Sequence, residues 1–589
     1  MLLKVRRTLL SPCGWIVALA IYFFSGWARA QYEAYSVGAC DLGIFYQAVQ
    51  GWATGGWPMV PIKGYVQLGD HFSPVFALLA PLVWIHDDAI TLVYAQVVLI
   101  CLSGIPIYHI FRRRHGILVG SGMLIAYLGS HAVFGTIQFP VHEVMFGALF
   151  LAWGLERMLA GKWTQATALF ALLITVKEDG GLMCAMLGAY ALLNRRWKHG
   201  AFLIGWGALW FVVTLKFIIP NLNPGGFTYA RDYQASLHAD GIFEGIPYML
   251  THPGEILGLM VDNEVKLTTW EQLLIPVGFA ALTSPLVLLI VPIMLSRMLS
   301  ARDTQWSSTL YYDMPLIPIL FAAAADGFRR VGSLVDRLRG LGPAPDPTMA
   351  PRARASAPDS RSPSSPPPTV QSSTETSAAL SRSAAEDSEE RAELSQGSAD
   401  PSQSSSSPSP SPSPSTSTSP SPSPDDSDIS GSSETPSPRR WQPRTATILA
   451  AIAAPVFIWF AYQDAQEMAV TQWYQGTAKP FHNVPIVEEA PEALAKIPPG
   501  VTVRATNNLV IPLLPTNKVT LIGSNVDEGD WAIVDTVNPS CPIGKKEVPQ
   551  VMRQLDQMGF RTVYSSGRIE VLQRTGPAVQ PIRGTGTQS

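Results

Sequence analysis

AITLVYAQVVLICLSGIPIYHIFRRR, residues 89–114, decides the fold. From Ala89 to Phe111 the stretch holds no Asp, Glu, Lys or Arg. It is long enough to cross a bilayer, for which about 20 apolar residues suffice. It ends on Arg112-Arg113-Arg114, and clustered arginines mark the cytoplasmic end of a span. The chain therefore descends here from the outside, and residues 31–88 before it form a large external loop. Working back, an apolar run at about 12–29 follows Lys4, Arg6 and Arg7, which places the N-terminus inside. Ala28-Arg29-Ala30 resembles a signal-peptidase site, yet the run is long for a signal segment and reads as an uncleaved first span.

Working forward, spans at about 116–134 and 144–160 return to Arg157 and Lys162, and those at about 164–177 and 181–194 return to Arg195, Arg196 and Lys198. A seventh at about 200–219 exits. Residues 271–299 are apolar but interrupted at Ser284-Pro285, and parity decides their count. Read as two short tilted spans, they leave Arg329, Arg330, Arg337 and Arg339 inside after a tenth span at about 314–328. An eleventh at about 446–463 carries the chain out again.

Composition supports this threading. The 589 residues are 47% hydrophobic and only 15% charged, too apolar for a soluble enzyme of that size. The expected fold is mainly α: a polytopic membrane helix bundle of about 11 spans over residues 1–330 and 446–463, N-terminus in and C-terminus out. Residues 331–445, rich in Ser and Pro, cannot bury enough apolar surface to offset chain entropy and read as a disordered cytoplasmic linker. Residues 464–575 read as a small external α/β domain, with strand patterns at 501–505, 519–522 and 531–534 and a helical pattern at 548–558. A final strand pair around Ser566-Gly567 follows, and 576–589 read as a disordered tail. That domain carries no Gly-rich phosphate fingerprint and reads as a lid or docking module. Nucleic-acid binding finds no support. Cys13, Cys40, Cys101, Cys184 and Cys541 show no metal-ligand spacing and no disulfide framework.

Threading gathers the polar clusters on the outer face: Asp41, Asp70-His71, His142-Glu143, Lys177-Glu178-Asp179 and Tyr311-Tyr312-Asp313. Ionisable groups at a membrane edge are costly, so five clusters meeting on one face suggest a shared polar cavity. Asp41 opens a segment whose Leu42, Phe45, Tyr46 and Val49 make one apolar helical face, which reads as a helix lying on the membrane surface with Asp41 as its N-cap or as a catalytic carboxylate. Asp70-His71 precedes a half-buried helix interrupted by Pro74 and Pro81. In Lys177-Glu178-Asp179 a local Lys177–Glu178 ion pair leaves Asp179 over. Tyr311 and Tyr312 fit an interfacial aromatic belt.

Asp41-Leu42-Gly43-Ile44-Phe45, Gly69-Asp70-His71-Phe72-Ser73-Pro74, Val176-Lys177-Glu178-Asp179 and Tyr311-Tyr312 with Pro315 and Pro318 resemble a bacterial family of predicted membrane proteins known as a domain of unknown function. The resemblance covers about residues 30–330 and, more weakly, 495–575, and departs from the family where Ser307-Ser308-Thr309 stand in place of an expected histidine. That family in turn is similar to the polytopic GT-C glycosyltransferases, which take sugars from polyprenyl phosphates. The resemblance implies that Asp41 is the loop carboxylate that acts as base or orients the acceptor; Glu178 and Asp179 are further catalytic candidates. Asp70, His71, His142, Glu143, Lys177, Tyr311 and Tyr312 would bind substrate or phosphate, with Arg297 and Arg302 reaching in. A divalent metal is compatible with Asp70, His71, Glu143 or Glu178, though no spacing specifies one. The expected function is transfer of a sugar from a polyprenyl-phosphate donor to an acceptor at the outer face of a bacterial cytoplasmic membrane. A scaffold anchoring the external domain, or a transporter, are the alternatives. A transporter would show repeated halves and mid-membrane charges, whereas here the charges crowd one face.

Overall fold

A computed structural model describes residues 11–223, 225–239, 242–340, 445–467, 485–524 and 528–576. The expected linker beyond Gly340, Lys4, Arg6 and Arg7, and the tail after residue 576 lie outside the described residues. The chain is mostly helical, with several apolar helices and a small C-terminal sheet. Four of the described helices have the length and apolarity to cross a membrane: Pro12–Glu33, Ile90–Leu128, Trp197–Leu222 and Thr445–Gln463. Shorter apolar helices include Trp163–Thr175, Gly180–Leu193 and Pro285–Met298.

Pro12–Glu33 begins on Ser11, whose Oγ accepts the Gly14 N–H, and on Pro12, which gives up no needed donor at a helix start. It runs on past Ala30 and buries Trp27 and Ala28. Ile90–Leu128 is two helices joined at Gly116, whose φ of +89° suits glycine and breaks the rod just after the three arginines. The span expected at about 116–134 accordingly ends at Leu128, and a separate helix, His131–Gln138, follows. Residues 271–299 are broken twice, by the left-handed Gly278-Phe279 pair and at Ser284, whose Oγ accepts the Leu286 N–H ahead of Pro285.

The first loop holds a small hairpin, β1 (Met59–Val60) with β2 (Tyr65–Val66). The C-terminal sheet contains β3 (Thr502–Ala505), β4 (Lys518–Leu521), β5 (Trp531–Asp535), β6 (Phe560–Ser565) and β7 (Ile569–Arg574), in the order β4-β3-β5-β7-β6. β3 is parallel to β4 and β5, while β7 runs antiparallel to β5 and β6. Alternation along β5 sends Ala532 and Val534 to one face, where Val551 and Leu555 of the helix Val548–Gln557 cover them. Ile533 faces the other way and joins one continuous core with Val519, Ile511 and the helices.

That second face settles what covers the first loop. Asp41 is not an N-cap: it lies inside a π-helical turn, Ala39–Gly43, and its side chain makes no capping bond. The following helix, Ile44–Ala53, buries every residue from Ile44 to Val49, so protein covers it on more than its apolar stripe. Its apolar stripe meets Phe76 and its opposite side meets the C-terminal domain, where Gln47 Nε2 donates to the Val519 carbonyl at 3.2 Å. Contrary to the sequence expectation, Cys40 and Cys541 form a disulfide across 501 residues. Cys13, Cys101 and Cys184 are free and buried.

Candidate functional site

The expected site residues come together in one chain of contacts. Asp41 Oδ1 lies 3.6 Å from His142 Nε2. His142 stacks on Tyr311 with ring centres 3.4 Å apart, and Tyr311 touches Tyr312. Glu143, next along, accepts Lys177, whose Nζ is 2.9 Å from Oε1. Glu178 Oε1 is 2.9 Å from His71 Nδ1, and Oε2 accepts the Phe72 N–H at 3.3 Å. Asp70 closes the series, with Lys63 Nζ at 3.2 Å and the Tyr229 and Tyr65 hydroxyls donating to Oδ1 at 3.1 and 3.3 Å.

Local backbone explains the reach of these side chains. Residues 139–143 link the helices His131–Gln138 and Val144–Leu159, and the His142 N–H is anchored by Gln96 Oε1 at 2.8 Å. Residues 176–179 make a turn between Thr175 and Gly180. Within that turn Lys177 points to Glu143 and Glu178 to His71, so the local Lys177–Glu178 pair anticipated from the sequence does not form. Arg297 and Arg302 each have a carboxylate partner outside the array and reach it through rings: the Arg297 guanidinium lies 5.8 Å from the Tyr312 ring centre and that of Arg302 5.0 Å from the Tyr229 ring centre. Arg297 is buried against Asp313, which His131 Nε2 also meets at 2.8 Å, and Arg302 pairs with Asp232 at 2.7 Å. Lys63 and Tyr229 were missed because neither has a motif around it: Lys63 is in the turn of the β1–β2 hairpin and Tyr229 in a short 3-10 helix, Thr228–Tyr233.

Electrostatics divides the carboxylates. Burial alone would raise Glu143, but Lys177 beside it, with His71 and His142, brings it down to about 2. Burial likewise opposes ionisation of Glu178 and Asp70, and their cationic neighbours, His71 first in each case, hold both below the ordinary carboxylate range. Glu178 and Asp70 in turn keep His71 above its ordinary value against burial and Lys177. Burial lowers His142 despite Asp41, so it stands as a neutral imidazole at pH 7. Asp179 is reached by solvent yet has protein on most sides. Desolvation, reinforced by Glu178 and Glu143 and opposed by Lys177, pushes it up to about 6.

Three carboxylates are thus buried and bound to cations, whereas Asp41 has 44% of its side chain exposed. Among the described residues no group of three or more His, Cys, Asp or Glu is placed to hold a metal ion. Asp70, Glu143 and Glu178 already face Lys63, Lys177 and His71, so no step is derived through a metal. An apolar cavity of about 750 Å³ opens within the bundle, lined by Leu78, Leu82, Tyr94, Val98, Phe146 and Phe150 among others. None of the charged array lines it; Phe146, which does, sits one turn past Glu143.

Among solved structures the chain is similar to ArnT from Cupriavidus metallidurans bound to undecaprenyl phosphate, at 11% identity and TM-score 0.47, covering 97% of this chain and 99% of that one. It is similar also to the apo state of the same protein, at 11% identity and TM-score 0.45, covering 96% and 99%. No curated protein matches. A family profile described as predicted membrane protein (DUF2079) matches residues 32–341, more than half of the chain and all of the charged array, and the chain belongs to that family.

Proposed function

We propose that this membrane protein is a glycosyltransferase that moves a sugar from a polyprenyl-phosphate donor to an acceptor hydroxyl at the outer face of a bacterial cytoplasmic membrane. The observation that carries the reading is the division of labour among the charges: a solvent-accessible carboxylate, Asp41, beside a row of cations that buried carboxylates fix in place. Attack on an anomeric carbon needs a base for the acceptor proton, and Asp41 is open to solvent with a lone pair uncommitted to any cation. The departing phosphate needs positive charge, which Lys177, His71 and Lys63 offer, each partly exposed. Glu143 and Glu178 then act as positioning residues for Lys177 and His71. Asp179, pushed up to about 6, is a carboxylate able to exchange a proton close to neutral pH. Tyr311 and Tyr312 wall the array beside His142. The apolar cavity, lined by Phe146 one turn from Glu143, suits a lipid chain whose phosphate would meet the cations.

The threading belongs to the same proposal: residues 1–330 and 446–463 spanning about 11 times, a cytoplasmic linker, and residues 464–575 outside. The Cys40–Cys541 bond supports it, because disulfides persist in oxidising compartments and rarely in the cytosol. Both cysteines then share the outer side. The test is transfer of label from a polyprenyl-phosphate sugar pool in membranes carrying or lacking the protein. Protein-dependent transfer is expected; equal label in both membranes refutes the reading.

A further inference from the structure

A second cavity, of about 310 Å³, lies where the start of the first loop meets the C-terminal domain, with none of the charged array in its lining. Its lining differs from that of the apolar cavity: Tyr35, Ser36, Asn507, Asn508, Asn538 and Arg568. We propose that this cavity binds a neutral saccharide and presents it as the acceptor, the second half of which rests on the glycosyltransferase reading above.

Charge argues for a neutral ligand. Arg568 is engaged by the buried Asp535 through Nε at 3.2 Å and Nη2 at 2.9 Å, so the one cation of the lining is neutralised and offers only its remaining N–H edge. A phosphate or carboxylate would find no net positive charge there. Hydrogen bonding argues for a polyol. Asn508 Nδ2 donates to Asp535 Oδ2 at 3.0 Å, while Asn508 Oδ1 is buried with no partner among the described residues. A buried acceptor left unmade costs free energy that a ligand hydroxyl removes. Asn538 and Ser36 stand exposed at the rim, and Tyr35 supplies an aromatic surface of the kind that packs on a sugar ring. The volume is at the small end of ligand pockets, which run from about 300 to 1,000 Å³.

Placement argues for the acceptor. Asn507 Oδ1 accepts the Cys40 N–H at 3.0 Å and its Nδ2 donates to Ser540 Oγ at 3.2 Å, next to Cys541 of the disulfide. Gly38 permits this: a Cβ there would stand 2.3 Å from Asn507 Nδ2. The Gly38 carbonyl also accepts the Gly43 N–H at 3.3 Å, closing the turn that carries Asp41. One wall of the cavity and the proposed base therefore share a single turn of backbone.

The test uses the full-length protein in lipid nanodiscs and saturation-transfer NMR. The probes are the methyl glycosides of glucose, galactose, mannose and N-acetylglucosamine, with glucuronate as the charged comparison. Ser36→Trp and Asn538→Leu each fill the rim from an exposed position, so two independent variants probe the site without a buried substitution. At least one neutral glycoside should bind in the millimolar range, and both variants should weaken it about tenfold or more. The proposal is overturned by silence from every neutral glycoside, by equal binding in both variants, or by glucuronate binding best. Binding is read without donor. Its failure therefore leaves the transfer reading standing, and failed transfer with intact binding counts against that reading alone.

Discussion

Replacing Lys177 with methionine removes the charge that keeps Glu143 ionised in a site where its side chain is only 2% exposed. A carboxyl held from an ordinary 4.5 down to about 2 corresponds to about 3 kcal/mol at roughly 1.4 kcal/mol for each tenfold change in proton affinity. Because the folded value is the lower one, that stability is present above 4.5 and lost as pH falls toward about 2, so at neutral pH all of it is at stake. The same size follows from the roughly 3–5 kcal/mol by which removal of one partner of a buried pair destabilises a protein. Lys177→Met should therefore cost about 3 kcal/mol in a mixed-micelle SDS titration, and adding Glu143→Gln should restore most of it. Transfer should behave differently: with the ammonium gone, the double variant should remain about 100-fold slow, as for other donors to a departing anion. A Lys177→Met protein within about 0.5 kcal/mol of wild type, the scatter of ordinary surface changes, would refute the pairing.

Other outcomes follow from the same contacts. With a protease site inserted at Ser405, the two halves should stay joined on non-reducing gels and separate on reduction or in Cys541→Ser; separation without reductant contradicts the disulfide. The His71–Glu178 pair contributes most between 4.5 and 6.5, fading as pH falls through the lowered Glu178 value or rises through the raised His71 value. Glu178→Gln should flatten the alkaline loss of thermal stability, and an unchanged alkaline limb counts against the pair. A reporter active only outside the membrane should work when fused after Ser589 and fail at Ser405; the reverse pattern overturns the threading.

Much of the architecture was legible because length and periodicity are local signals. The apolar run to Phe111 followed by three arginines, the strand alternation of Trp531–Asp535 and the Ser566-Gly567 turn each carry their meaning within a few residues. The gathering of Asp41, His142, Lys177 and His71 was also legible, through the parity of the spans. What was not legible depends on contacts between distant segments. Cys40 and Cys541 sit in segments whose spacing says nothing of each other. The apolar stripe of Ile44–Ala53 announces one buried face, but only the docked sheet explains why the other is buried too. Lys177 and Glu178 are neighbours in sequence, yet a turn sends consecutive side chains to different partners, so the local ion pair that adjacency offers as the bland alternative does not form.

The central claim is that the charge of Asp41 is needed for chemistry and not for folding, and Asp41→Asn separates the two. The carboxylate is 44% exposed, makes no capping bond and meets the neutral His142 ring at 3.6 Å, so an isosteric amide should leave stability within about 0.5 kcal/mol of wild type. An amide cannot accept the proton of an attacking hydroxyl, so the rate should fall by about 100-fold or more. The measurement is the initial rate of label transfer from polyprenyl-phosphate sugar in membranes with matched amounts of each protein. A loss of that size at normal membrane levels is the predicted result; transfer at the wild-type rate would contradict Asp41 as the base and move the assignment to Asp179.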